Sequence, residues 1–173
     1  MEIRATRTVF SDVVYETIYR DADDVSILEG KPLTGSGAHC FFGDRFVLVH
    51  KKVKGNWVSP GGGIEPGESA AQTMVREVKE ESNMRVLDYR FFGYEEFFPV
   101  GQGGPSAQPT AVVAYFVAIV EPFGDFVSDP DGDIDAVKLI DPKDYKLYFD
   151  WGKAGDREME RALEIKPFLK ASK

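Results

Sequence analysis

Short apolar runs set the pattern of this chain; most are strand-length, and only two stretches carry apolar residues at helical spacing. Residues 1–33 hold β-type material, TRTVF and DVVYETIYR, followed by the polar, turn-rich RDADDVS. They are expected to form an amino-terminal extension packed on the main domain. GAHCFF, a turn at Gly43-Asp44, and RFVLVHKK read as a hairpin, and VKGNWVSP as a loop leading into three glycines. MRVLDYRFFGYEEFF reads as a strand, VGQGGPSAQP as a loop, and TAVVAYFVAIV as a buried central strand, being apolar almost throughout and rich in β-branched residues. EPFGDFVSDPDGD is expected as a loop and IDAVKLI as a short strand. GDREMERALEIKPFL is expected as a closing amphipathic helix begun near Asp156. Strands outnumber helices and helices follow strands, the order of an α/β fold. A length of 173 residues suits one domain, 1–173, large enough to bury a core.

The other helical stretch spans 69–82. Ser69 with Gln72 three residues on makes a capping box, and Asn83 tolerates the left-handed conformation that ends helices. At about 100° per residue, with Glu77 at zero, Glu80 falls near −60° and Glu81 near +40°. Ala71, Met74, Val75 and Val78 fall roughly between +60° and +160°. One face is therefore apolar, and the adjoining face carries three carboxylates. For stability alone this is unfavourable: acids in the last turns meet the negative end of the helix dipole, and each like-charged pair at this spacing costs roughly 0.2–0.5 kcal/mol. A solvated acidic face is one explanation; a hard divalent cation such as Mg²⁺, which prefers carboxylate oxygens, is the other.

Charge narrows the choice of partner. The formal net charge is −8 and the pI about 4.8, which argues against a broad basic face for a nucleic-acid polymer. A phosphate-bearing substrate would need cations between itself and these acids. No apolar run reaches membrane-spanning length, and MEIRATRTVF lacks the layout of a signal peptide. The single cysteine, Cys40, sits in the apolar AHCFF as a small core residue, and a cytoplasmic setting fits a chain that cannot close an internal disulfide.

The 23 residues Gly62-x5-Glu68-x7-Arg76-Glu77-Val78-x-Glu80-Glu81-x-Asn83-Met84 resemble the signature of the Nudix hydrolases, G-x5-E-x7-R-E-U-x-E-E-x-G-U, where U is a bulky aliphatic residue. The one departure is Asn83 in place of glycine, and both suit a helix end. The resemblance implies an α/β/α sandwich with a mixed β-sheet and the box as loop, helix, loop. It implies a metal-dependent hydrolase of the phosphoanhydride bond in a nucleoside diphosphate linked to another moiety. Mg²⁺, or alternatively Mn²⁺, would bridge the acids to the substrate, neutralise phosphoryl charge and activate water. By match to the motif, Glu80 and Glu81 are the principal metal ligands, Glu77 is a further ligand or the general base, and Gly62 offers a carbonyl. Arg76, near −100° on the helix, is placed to pair with Glu68 and hold the loop in register with the helix. The implied partner is a small nucleotide, with neither nucleic-acid polymer nor membrane, and a homodimer is left open. Pro99, fifteen residues beyond Met84, is similar in place to the proline that ADP-ribose pyrophosphatases carry after the box, a resemblance that implies a nucleotide sugar such as ADP-ribose; a nucleoside triphosphate is the competing choice. The rival class is a Nudix-like module that senses nucleotides without cleaving them, but such modules tend to lose catalytic glutamates, and Glu77, Glu80 and Glu81 are all present.

Several residues outside the box have two readings each. Lys51, Lys52 and Lys54 with Trp57 suit phosphate contact and base stacking, Lys52 and Trp57 being the substrate-binding candidates; they equally suit a solvated hairpin end and a packed indole. Tyr94, Phe97 and Phe98 suit a base pocket or the core. His39 and His50 lack a third ligand at zinc spacing and are expected to be structural. A downstream acid is expected to complete the metal site, with Glu95, Glu96, Glu121, Asp129, Asp131, Asp133 and Asp135 as candidates; DPDGD itself reads as a turn.

Overall fold

The computed structural model describes residues 1–9, 13–101, 108–125 and 132–170, so Asp129 and Asp131 lie outside the described residues. Strands β1 (Glu2–Val9) and β2 (Val13–Asp21) form an antiparallel hairpin, so the amino-terminal segment extends the sheet. Then follow β3 (Leu33–Phe42), β4 (Arg45–Lys51), β5 (Asn56–Val58), β6 (Gly61–Gly63), helix α1 (Ala70–Ser82), β7 (Met84–Pro99), β8 (Ala111–Pro122), β9 (Ile134–Ile140) and helix α2 (Gly152–Ile165). The sheet order is β1-β2-β7-β8-β3-β4-β5, with β6 added to β3 and β9 to β4. It is mixed, because β3 runs parallel to β8 while the other pairs run antiparallel.

Both faces of the sheet are covered, and strand alternation divides the core between them. Ala38, Cys40, Phe116 and Ala118 turn toward α1, where Met74 and Val78 meet them. Phe41, Val117 and Ile119 turn the other way, toward Met159, Ala162 and Ile165 of α2. Burial on both faces is why β8 reads as one apolar run.

The three glycines of β6 answer a spatial demand. Gly61 and Gly63 face Gly37 and Gly35 across the β3–β6 ladder. A Cβ on Gly61 would lie 2.7 Å from the Gly37 Cα and 2.9 Å from the Ser36 carbonyl oxygen, so the backbones approach as only glycine permits. With β6 beside β3, strand β4 pairs with β3 only at its start, then turns to β5 and β9.

Helix α1 forms as its capping box dictates: the Gln72 N–H donates to Ser69 Oγ and the Ser69 N–H to Gln72 Oε1. Asn83 closes it in the left-handed conformation (φ 53°). Helix α2 departs from expectation, starting at Gly152 rather than near Asp156. Gly152 adopts φ 61° and its N–H donates to Asp150 Oδ1 at 2.8 Å, so the turn that looks like a breaker in sequence launches the helix. The stretch expected as a loop before α1 also contributes two short strands, β5 and β6.

Candidate active site

The loop and helix of residues 61–82 are tied together by one guanidinium. Arg76 Nε and Nη2 donate to the two oxygens of Glu68 at 2.8 and 3.0 Å, a bidentate pair. Nη1 donates to Glu77 at 2.7 Å and to Glu80 at 3.1 Å, and Nη2 also reaches the Gly63 carbonyl at 2.8 Å. Glu68 further accepts from the Thr73 hydroxyl at 2.6 Å. The Arg76 and Thr73 donors hold the Glu68 carboxyl down at about 2.

Glu81 is buried on the inner side of α1. Its Oε2 accepts from the Gly61 N–H at 2.9 Å, and its Oε1 from Lys51 Nζ at the end of β4. Glu77 lies against Gly62, where an added Cβ would come within 2.3 Å of its carboxylate. Burial raises the proton affinity of both Glu77 and Glu81, outweighing Arg76 beside the first and Lys51 beside the second. Glu80 is the most exposed of the three.

These residues fit a hard divalent cation by the chemistry of their oxygens and by their charge. Glu68, Glu77, Glu80 and Glu81 carry four negative charges against two positive ones on Arg76 and Lys51. The excess of two matches one such ion, and the buried members remain under-compensated although each already touches a cation. Among the described residues, no three acidic, imidazole or thiol side chains converge into a ready-made cage; Arg76 pairs with Glu77 and Glu80, and Lys51 with Glu81.

The box borders a cavity of about 930 Å³, ample for a nucleoside. Gly62 and Gly63 belong to both, and Lys51 and Gly61, which bond to Glu81 of the box, line the cavity beside them. Further lining comes from Thr34–His39 of β3, Lys54 of the β4–β5 turn with β5 and the residues after it, Phe97, Val113 and Tyr115, the 150–153 segment with Trp151 and Lys153, and Arg4–Thr6 of β1. Among the described residues, its charged lining is Arg4, Lys51, Lys54 and Lys153 against Asp150, a cationic concentration in a chain of net charge −8. Ser36 and His39 line it; among the described residues, Ser36 Oγ and both His39 nitrogens are buried and make no hydrogen bond, with His39 Nε2 3.9 Å from Glu158 Oε2. Burial keeps His39 neutral, its affinity for a proton lowered to about 3.

The sequence candidates distribute unevenly. Glu68, Arg76, Glu77 and Glu80 form one ion-paired cluster, with Glu77 and Glu81 pressed on Gly62 and Gly61 beside it. Trp57 is not in the cavity lining: it packs on His50 and Tyr148, with Lys138 Nζ 4.7 Å above its ring. Lys52 is exposed and likewise outside that lining, its backbone N–H on the Asp133 carbonyl. Of the described downstream acids, Glu96 pairs with Arg20 and Lys31, Glu121 with Arg85, Asp135 with His50, and buried Glu95 with the Tyr115 hydroxyl, while Asp133 is exposed. Trp151 and Lys153 carry no spacing signal, since a chain segment distant from the box brings them to the cavity.

Gly62→Ala separates geometry from folding. The three atoms nearest the new methyl all belong to the flexible end of Glu77, so the melting temperature should stay within a few degrees, while a displaced carboxylate should lower turnover about 10²-fold. Melting curves and kcat measured together check this.

The model of the NUDIX domain matches residues 33–163. In Bacillus subtilis (strain 168), the "Putative 8-oxo-dGTP diphosphatase YtkD" is 33% identical over 88 residues, 49% of this chain and 51% of that protein. The match thus spans about half the length of this curated relative. Among solved structures, the Bacillus subtilis pyrophosphohydrolase BsRppH superposes with a TM-score of 0.65 at 18% identity, covering 96% of this chain and 99% of that one. A NUDIX hydrolase from Nitrosomonas europaea gives 0.61 at 22% identity over 82% and 98%. At these identities the two structures speak for the fold.

Proposed function

Because this chain belongs to the Nudix hydrolase family, we propose that it hydrolyses a phosphoanhydride bond in a nucleoside diphosphate linked to another moiety, with a divalent cation as cofactor. One observation carries the reading: the carboxylate cluster of α1 and a nucleoside-sized, cation-lined cavity share Lys51 and the glycine strand. A phosphate chain lying along Gly61–Gly63 would have the acids on one side and the cavity on the other.

Gly62, Glu80 and Glu81 would hold the cation, with Glu77 beside them as a further oxygen donor or the acceptor of a proton from water. When bound, a Mg²⁺ or Mn²⁺ ion supplies charge neutralisation at the phosphoryl oxygens and acidifies water. Glu77 suits proton transfer because burial has raised its affinity for a proton, and Arg76 holds its Oε1 in place. Arg76 and Glu68 fix the loop that carries the glycines. Lys54 and Lys153 give the cavity cations for phosphate, and Tyr115, Phe97 and Trp151 give aromatic surface for a base. Nucleotide sugars such as ADP-ribose and nucleoside triphosphates both meet these demands.

The test is a hydrolysis screen over nucleoside triphosphates, nucleotide sugars, dinucleoside polyphosphates and ADP-ribose, with Mg²⁺ and Mn²⁺ compared. Cation-dependent release of a nucleotide product from at least one class is expected. Nucleotide binding without product from any of them would replace this reading with a sensing module.

A further inference from the structure

Among the described residues, Lys51 is the cavity-lining side chain that holds a box carboxylate. Its ammonium takes one oxygen of Glu81, the Gly61 N–H takes the other, and Glu81 is 5% exposed. A cation reaching Glu81 therefore meets an oxygen that already has a positive partner. We propose that Lys51 is a positioning residue that stands in for the cation at Glu81 and is released into the cavity, toward substrate phosphate, when a divalent ion takes the carboxylate. This inference rests on the reading of the site as a metal-dependent hydrolase.

Three observations support the exchange. The stem of Lys51 is flexible and its head is a compact charge, so the ammonium can leave Glu81 without moving strand β4. The side chain is 28% exposed and borders the cavity, so a path to the phosphate region exists. The charges allow it: with Lys51 withdrawn, the four carboxylates against Arg76 and one divalent ion leave an excess of one, smaller than the excess of two before the ion binds, and a substrate phosphate then brings new negative charge for the ammonium to meet. Cation and nucleotide should accordingly bind cooperatively, because each favours the same position of Lys51.

The sign of a single measurement separates this role from a merely structural ion pair. Affinity for Mn²⁺ and Mg²⁺ alone is measured by calorimetry on the full chain, without nucleotide. Lys51→Met keeps the stem and removes the competing charge, so the cation should bind roughly tenfold more tightly than to the wild type. Lys51→Arg presents a fork that grips a carboxylate bidentately, so the cation should bind several-fold more weakly. Adding a non-cleavable nucleotide analogue should tighten cation binding by a larger factor in the wild type than in Lys51→Met, where only the direct contact of phosphate with the cation remains. Unchanged or weaker binding in Lys51→Met, with an unaltered melting curve, overturns the proposal, as does a chain that binds no cation with or without Lys51. If the cation affinities shift as stated but no nucleotide is cleaved, the hydrolase reading fails while the exchange stands.

Discussion

Glu81→Gln should lower turnover about 10²–10³-fold while leaving the fold as stable as before, or slightly more so. Removing a charged oxygen that helps stabilise phosphoryl transfer forfeits several kcal/mol in the transition state, at 1.36 kcal/mol per tenfold. Stability moves differently because Glu81 is buried and its proton affinity is raised. A carboxyl that binds its proton more tightly when folded weakens the fold once ionised; that penalty is absent below its unfolded value of 4.5 and develops as pH rises through the higher folded value. Glutamine removes the penalty, offset in part by leaving Lys51 with a neutral partner. Melting temperatures at pH 4 and pH 7 check the sign: the variant should gain on the wild type as pH rises. Near-normal kcat at saturating Mg²⁺ would refute the role assigned to Glu81.

What the sequence showed depended on whether the information was local. The capping box of Ser69 and Gln72, the stop at Asn83 and the acid spacing lie within one segment, and α1 follows them closely. β8 announced itself because both of its faces are covered. The cavity could not be read in this way, since β1, β3, the β4–β5 turn and the 150–153 segment supply its walls from distant parts of the chain. Aromatic character alone could not tell Trp57, packed on His50, from Trp151, which borders the cavity. Neighbouring lysines were equally ambiguous: Lys51 ends β4 and turns to Glu81, while Lys52 follows in an exposed turn. The glycine run was visible, but its reason was not, because the close approach it serves needs Gly35 and Gly37 on another strand.

Arg76→Ala should be the most damaging substitution to stability in the box. It removes the bidentate hold on Glu68 and the bonds to Glu77, Glu80 and the Gly63 carbonyl, leaving Lys51 as the cation still paired within that carboxylate cluster. Breaking a partly buried, hydrogen-bonded network of this kind costs about 2–4 kcal/mol, or roughly 4–16 °C in a chain of this size. The loss should depend on pH in a definite direction. Glu68, held down at about 2 by Arg76, adds stability above its ordinary 4.5 and loses it as pH falls toward the folded value, so wild type and variant should converge between those limits. Because the variant keeps the carboxylates and lacks the cation, Mg²⁺ should raise its melting temperature more than that of the wild type. Arg76→Lys should recover little, since a point charge cannot replace the fork. In steady-state kinetics kcat should fall, because the glycine loop and Glu77 lose their common anchor. A change in KM alone, with melting unaffected, would instead place the guanidinium on the substrate.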